Sequence, residues 1–475
     1  MPIHLFFFYA TIILLPTQLG YHFWPDWALV LGRRLDYLSP TIFLTDVTIL
    51  LTLTSWFFSS FSSIKIKNLN LIKNFKSLVK LLARRSFSVG GVGLVVLVGL
   101  NIYFATSPLV ALYKWFKVLE FVVFGFYIIK TKPSFSRSLW CLLFAVFYSS
   151  IIAIAQFFLQ HSVGGMLWLL GERTFDVTNP GIARIQLLPI SLSTHLPINP
   201  SIFSELLRPY ATFPHPNVLG GFLAVSLPLI IINSLTTCLP ARQVKQLNNW
   251  QVSLLKLFRV YTIILGTLAL ILTFSRSAWI AGAIGMTFLL FNYYKRYNFY
   301  KFYKIIAFVG FVVFVGFFLA FPYFQSLTSN SESVFVRNEL NSAAISMWWK
   351  SSSFLPLTSY LLPRLFGVGL GNFLVKLPTY YPHRDIFFLQ PVHNIYLLIL
   401  SETGIIGSGI ILYLLYSFLK RVTRKRLFVI CHLSFVILLL LGAVDHYPLT
   451  LQQGQLLLSI IISYSLFSNT HGWRG

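Results

Sequence analysis

The sequence predicts an all-α, polytopic integral membrane protein of about twelve transmembrane helices with two long exoplasmic loops. Three observations predict it. First, 56% of the 475 residues are hydrophobic, only 10% are charged, and mean hydropathy is +0.75, whereas soluble domains carry roughly 25% charged residues. Second, the apolar residues fall into runs long enough to span a bilayer. Third, the formal charge of +25 forms no single patch or stripe: it sits in short Lys/Arg clusters between the apolar runs, a positive-inside pattern that excludes nucleic acid as the partner and leaves membrane lipids.

The first run, His4 to Gly20, lacks the basic n-region and small-residue cleavage site of a signal peptide and reads as an uncleaved helix. A turn-rich aromatic loop, Tyr21 to Pro40, leads to a second span, Thr41 to Ser59. A linker with Lys65, Lys67, Lys73, Lys76, Lys80, Arg84 and Arg85 follows, then spans at Phe87 to Ala105, Leu112 to Ile129 and Leu139 to Leu159. The first long polar loop covers 160–216. Spans resume at Asn217 to Leu235, Phe258 to Phe274, Ala278 to Tyr293 and Ile305 to Phe321. The second long loop, 322–392, contains an amphipathic stretch, Val334 to Trp349, and precedes Asn394 to Leu419, Leu427 to Ala443 and Gly454 to Phe467. The whole chain, 1–475, reads as one membrane domain without internal repeats.

Sidedness follows from charge. The loops carrying Lys130, Lys132 and Arg137, Arg242 to Arg259, Lys295 to Lys304, and Lys420 to Arg426 are basic and hold no Asp or Glu. The carboxylates outside the spans, among them Asp26, Asp36, Glu172, Glu205, Glu339 and Asp445, fall on the opposite side. Both termini are therefore expected in the cytoplasm and both long loops outside the cytoplasmic membrane. Cys141, Cys238 and Cys431 lie in or at the inner ends of spans, so neither a disulfide framework nor a zinc spacing is expected.

The stretch RPYATFPHPNVLGG, Arg208 to Gly221, runs a cation, two prolines flanking His215, Asn217 and paired glycines into an apolar helix. The prolines exclude regular helix around His215 and make Arg208 to Pro216 a rigid lead-in at the outer boundary. Arg208 alone would read as a snorkelling interfacial arginine. Arg276, in the tight hairpin FSRSAW, sits on the side depleted of positive charge, which makes it a functional candidate. In VHNIYLLILSETGIIG, His393 closes the second long loop, Asn394 is placed to fix its ring or cap the next helix, and Glu402 reads as a buried structural carboxylate. GVGLGN, Gly367 to Asn372, lacks the GxGxxG spacing and any βαβ context; it reads as a turn that lets backbone approach the membrane or a glycan. The last outer hairpin, DHYPLTLQQGQ, offers Asp445 either to sugar hydroxyls or to helix capping.

Taken in order, R-x-x-x-T-F-x-H-P-N-x-L-G before a span, S-R-S-A-W between spans, G-V-G-L-G-N-F in a large outer loop and V-H-N-x-Y before a span resemble the O-antigen ligase family. That group includes O-antigen ligases, some O-antigen polymerases and protein O-oligosaccharyltransferases. The resemblance covers about 208–454 and implies an undecaprenyl-diphosphate-linked glycan donor and a lipid, glycan or protein acceptor. By the same resemblance Arg208 and Arg276 bind the diphosphate, His393 is the essential histidine and Arg337 is a further loop arginine. Beside them, His215, Asn217, Asn394 and Asp445 are the further residues expected to line the substrate. The insert Ser351 to Arg364 departs from the family pattern and bears on acceptor choice. The chemistry fits: guanidinium groups suit phosphate oxygens and a histidine accepts a proton near neutral pH. No D-x-D pair is present, so neither metal nor other cofactor is expected. A lipid-linked-sugar flippase is the competing class, but it would place its charged groups at mid-membrane on interrupted helices.

Overall fold

The computed structural model describes residues 1–62, 89–186, 205–236, 249–297, 331–349, 357–381, 389–420 and 426–467. The predicted span Ile305 to Phe321, most of the basic inner loops and residues 351–356 of the insert lie outside them.

The described chain is mostly helical. Before the second long loop stand α1 (Ile3–Ile13), α2 (Leu44–Ser62), α3 (Val89–Tyr103), α4 (Pro108–Thr131), α5 (Phe135–Leu159), α6 (Pro216–Thr236), α7 (Asn249–Leu272) and α8 (Arg276–Tyr297). Helices α9 (Ser331–Trp349), α10 (Leu357–Phe366) and α11 (Phe373–Tyr380) fall in the second long loop. Then come α12 (Ile395–Lys420), α13 (Arg426–Gly442), the short α14 (Tyr447–Thr450) and α15 (Gln452–Phe467). Within the described residues, Phe135–Leu159, Trp250–Leu272 and Ile395–Lys420 are long and apolar enough to cross a membrane; Ile3–Ile13, Gly93–Tyr103, Pro216–Ile231 and Cys431–Gly442 are shorter apolar helices. A helix therefore stands wherever a span is predicted and the chain is described, and three of these described helices are both long and apolar enough to cross a membrane.

Two differences from the predicted layout have local causes. The first helix stops at Ile13 rather than running to Gly20. Pro16 has no N–H to continue it, and the carbonyls of Pro16 and Thr17 accept instead from Thr212 Oγ1 (3.0 Å) and Gln453 Nε2 (3.0 Å). The fold also contains short antiparallel pairs: β1 (Gly20–His22) with β4 (Thr41–Phe43), β2 (Leu29–Val30) with β3 (Arg33–Arg34), and β5 (Arg184–Gln186) with β6 (Glu205–Leu207). They satisfy backbone groups of loop segments packed against helix ends.

The main core joins α1, α2, α4, α5, α6, α13 and α15 through Phe8, Ile49, Phe124, Tyr127, Val146, Leu219, Leu223, Ile437 and Leu456, all nearly inaccessible. A second cluster joins the 28–38 loop, α4, α9, α11 and α12. In it α9 buries Leu340, Ala343, Ala344 and Met347, the i, i+3, i+4, i+7 stripe of an amphipathic helix. The first long loop is ordered by a polar hub that its sequence did not advertise. Glu172, 3% exposed, accepts from Gln156 Nε2 (2.7 Å) and from the backbone of Val163 (2.7 Å) and Gly164 (2.8 Å). Gln156 Oε1 in turn takes the N–H groups of Tyr210 (2.9 Å) and Ala211 (2.7 Å), which fixes the lead-in to α6.

Candidate functional site

The segment from Arg208 to His215 is non-helical, as its prolines require, and α6 starts at Pro216. Arg208 Nε donates to the Thr273 carbonyl at 2.8 Å and its Nη2 to Asn217 Oδ1 at 2.7 Å. Asn217 passes the connection on: its Nδ2 donates to Asp445 Oδ2 at 3.1 Å and its backbone N–H to His215 Nδ1 at 3.1 Å. Asp445 Oδ1 accepts the His446 N–H at 2.8 Å. The His446 ring stands edge-on to His393, 5.2 Å between centroids, and edge-on to Tyr37 at 5.4 Å. Residues from the first long loop, α6, the entrance to α12 and the last hairpin thus meet in one place.

Arg276 is the first residue of α8 and is exposed. The hairpin before it is three residues long, and Phe274 takes the left-handed conformation (φ 49°) that so short a reversal requires. Trp279 ties it down, donating Nε1–H to the Leu270 carbonyl at 2.8 Å, one of the acceptors left open at the end of α7. Since Arg208 holds the Thr273 carbonyl, the two arginines are locked to the same hairpin.

Electrostatics tie Arg337, on α9, to the same centre. Burial brings Arg208 down to about 10, Tyr210 and Asp445 oppose that, and the positive charges of Arg276 and Arg337 add to it. Arg208 stays charged at neutral pH, and its Nη1 has no protein partner among the described residues. Burial also lowers His215 to about 3, with Arg208 contributing, and His446 to about 4, with His393 and Arg337 contributing against Asp445. His393 is lowered by burial and by Arg337, with Asp445 opposing. For Asp445, burial disfavours the charge, but His446, His393, His215 and the Asn217 amide outweigh it and hold the carboxyl below its ordinary range. At neutral pH the centre therefore presents cationic arginines, one carboxylate and three uncharged histidines.

The histidines differ in what they are free to do. His215 Nδ1 caps the Asn217 N–H and His446 Nδ1 pairs with Thr450 Oγ1 at 2.7 Å, whereas His393 Nδ1 is buried with no partner among the described residues. Asn394 caps α12, its Oδ1 accepting from Tyr396 N (2.9 Å) and Leu397 N (3.1 Å). Of its two expected uses the helix takes this oxygen.

GVGLGN does not face membrane or glycan. It packs into a break in α12, where Gly404 (φ 65°) interrupts the helix. The freed carbonyls of Ser401 and Glu402 accept from Val368 N (2.9 Å) and Gly369 N (3.1 Å). Gly367, Gly369 and Gly371 all have positive φ; a Cβ at Gly367 would strike the Glu402 backbone, one at Gly369 would meet Ala105 and one at Gly371 the Lys114 side chain, so other parts of the protein approach these glycines. Glu402 Oε1 accepts from Phe373 N at 3.2 Å, in keeping with a structural carboxylate. A broken helix with a buried acid invites a transport reading, but here the break is filled by the chain itself.

Sequence reading missed Tyr37 and His446, which an aromatic loop and a hairpin histidine signalled only weakly. It also missed Arg173, whose Nη2 donates to the Pro214 carbonyl at 2.7 Å beside His215.

The helical fold with its apolar helices defines a membrane protein, and its arginines and histidines gather at the ends of those helices. Residues 261–412 match the family model of the O-antigen ligases. Over that stretch, which contains Arg276, Arg337, GVGLGN and His393, the family resemblance is borne out; the first motif, with Arg208 and Asn217, and Asp445 lie outside it. No curated protein matches the chain.

Proposed function

We propose that the protein is a membrane glycosyltransferase that moves a glycan from an undecaprenyl-diphosphate carrier to an acceptor hydroxyl at the outer face of the cytoplasmic membrane. The observation that carries this reading is Arg208 hydrogen-bonded to Asn217, which in turn holds Asp445, with Arg276 on the hairpin that Arg208 grips and the charges of Arg276 and Arg337 felt at Arg208 and that of Arg337 at His393. Three like charges sharing one partly buried centre repel one another, and a diphosphate relieves that repulsion.

The acceptor oxygen attacks the anomeric carbon while the bond from that carbon to the diphosphate oxygen breaks. The bonding pair leaves with the diphosphate, where the guanidinium groups of Arg208 and Arg276 stabilise the growing charge. The acceptor proton passes to a ring nitrogen of His393, uncharged at neutral pH and so able to take it. Asn217 holds Arg208 on one side and Asp445 on the other. Ligase, polymerase and protein O-oligosaccharyltransferase share this donor chemistry and differ in the acceptor.

Mass spectrometry of glycoconjugates from cells with and without the gene identifies that acceptor. Purified protein in lipid nanodiscs, given the lipid-linked donor and the acceptor so found, should form the product. Donor that crosses the membrane with its glycan still attached supports the flippase reading instead.

A further inference from the structure

The reaction leaves the paired glycines of the NVLGG stretch unexplained. Gly220 and Gly221 stand in the second turn of α6, where glycine weakens a helix relative to alanine. A Cβ at Gly220 would lie 3.0 Å from Ala278 Cβ, 3.0 Å from Thr273 Oγ1 and 3.1 Å from Ser275 Cβ. These residues form or flank the hairpin that carries Arg276. A Cβ at Gly221 would overlap the Tyr447 hydroxyl and lie 2.5 Å from its Cζ. Tyr447 is 3% exposed and directly follows Asp445 and His446.

Gly221 comes four residues after Asn217, so both lie on one face of α6. That face meets the 445–447 turn twice, through the Asn217–Asp445 hydrogen bond and through Tyr447 seated on Gly221. Gly454 closes on the turn from the other side, where a Cβ would lie 2.8 Å from Pro448 Cα. Adjacent glycines therefore let the arginine-bearing hairpin and the Asp–His turn both approach a single turn of one helix.

We propose that Gly220 and Gly221 are positioning residues that set the separation between the two halves of the site: Gly220 seats the Arg276 hairpin, and Gly221 seats Asp445 and His446 through Tyr447. The kinetic part of this inference rests on the glycosyl-transfer reading; the geometric part does not.

The kinetic arm uses nanodisc protein, the undecaprenyl-diphosphate glycan donor and the acceptor. Gly221→Ala should lower kcat by about a hundredfold, the scale of a misplacement near 1 Å, with KM for the donor little changed. Adding Tyr447→Leu, which removes the overlapped atoms, should restore most of the loss. Gly220→Val should instead raise KM for the donor, and Tyr447→Leu should not rescue it. Wild-type kcat in Gly221→Ala, or rescue of both variants alike, overturns the proposal.

The geometric arm needs no activity. Nitroxide labels at Val444→Cys and Ile280→Cys, both exposed, in a background without native cysteines, report the separation by electron paramagnetic resonance. Gly221→Ala should shift the distance distribution and Tyr447→Leu should return it. An unmoved distribution overturns the positioning role; a shifted one in a protein that transfers no glycan overturns the transfer reading alone.

Discussion

Asn217 and Asp445 stand 228 residues apart in the chain and meet in a 3.1 Å hydrogen bond. The same asparagine accepts from Arg208, so its amide fixes both the cation expected at the diphosphate and the carboxylate beside the histidines. Asn217→Asp would place a second carboxylate against Asp445 and lose the amide donor, and the expected outcome is a larger loss of transfer than Asn217→Ala gives. Comparable rates for the two variants would show that the amide only fills space.

Arg208→Ala or Arg276→Ala should each cut transfer by about a hundredfold or more, the scale seen when a transition-state charge stabiliser is removed, while membrane insertion is unaffected. Lysine should rescue in part, since it keeps the charge without the planar fork. Initial rates on purified variants check this, and full activity in Arg276→Lys demotes Arg276 to a diffuse electrostatic role.

His393→Ala should reduce turnover by about a hundredfold or more without abolishing donor binding, as for a general base, and His215→Ala should be the milder change. The pH profile is a sharper check. His393 is lowered by burial and by Arg337 and raised by Asp445, so activity should persist below pH 6.5 and fall only as this lowered pKa is crossed. Arg337→Gln should move the acid limb to higher pH and Asp445→Asn should move it to lower pH. Shifts in the opposite sense would place the titrating group elsewhere.

Stability should also fall in acid. His215 and His446 titrate at about 3 and about 4 in the folded protein, both held down first by burial, against 6.5 ordinarily. Between pH 6.5 and 4 the unfolded chain binds protons that the folded one refuses, so the unfolding free energy decreases as pH drops through that window. His446→Gln should flatten the fall. Thermal unfolding in detergent across the window measures it, and a midpoint independent of pH would mean these rings are not buried uncharged.

Sidedness is testable without substrate. Thr174→Cys, in the first long loop and exposed, should react with an impermeant thiol reagent applied to spheroplasts, whereas Lys132→Cys, exposed at the end of α4, should react only after lysis. The reverse pattern puts the site in the cytoplasm and ends the ligase reading.

Transfer by the purified protein should proceed at an unchanged rate in excess EDTA. Among the described residues no group of three or more His, Cys, Asp or Glu is arranged to hold a metal ion, and the arginines already supply positive charge to a diphosphate. Loss of activity restored by Mg²⁺ would reveal a carboxylate site and reassign the arginines.

Much of this protein is determined by the sequence on its own, because the signals are local. A long apolar run that crosses lipid must satisfy its backbone hydrogen bonds within itself, whatever its neighbours, so the helices fall where hydropathy puts them. Prolines around His215 and the short FSRSAW reversal act through their own backbone geometry, and the lead-in and hairpin follow. Arg208, Arg276 and His393 stood out because each sits in a short motif at the end of an apolar run, and the roles proposed for them come from the family resemblance of those motifs.

What only the tertiary structure decided is partnership. Nothing local says that Asn217 will bridge Arg208 to Asp445, that Glu172 will be buried under Gln156 as a loop hub, or that GVGLGN will fill a break at Gly404 rather than face a glycan. Each depends on which distant segment arrives with a complementary donor, carbonyl or absence of side chain. Hydrogen bonds and steric fit fall off within a few ångströms, so sequence pattern carries no record of them until the helices have packed.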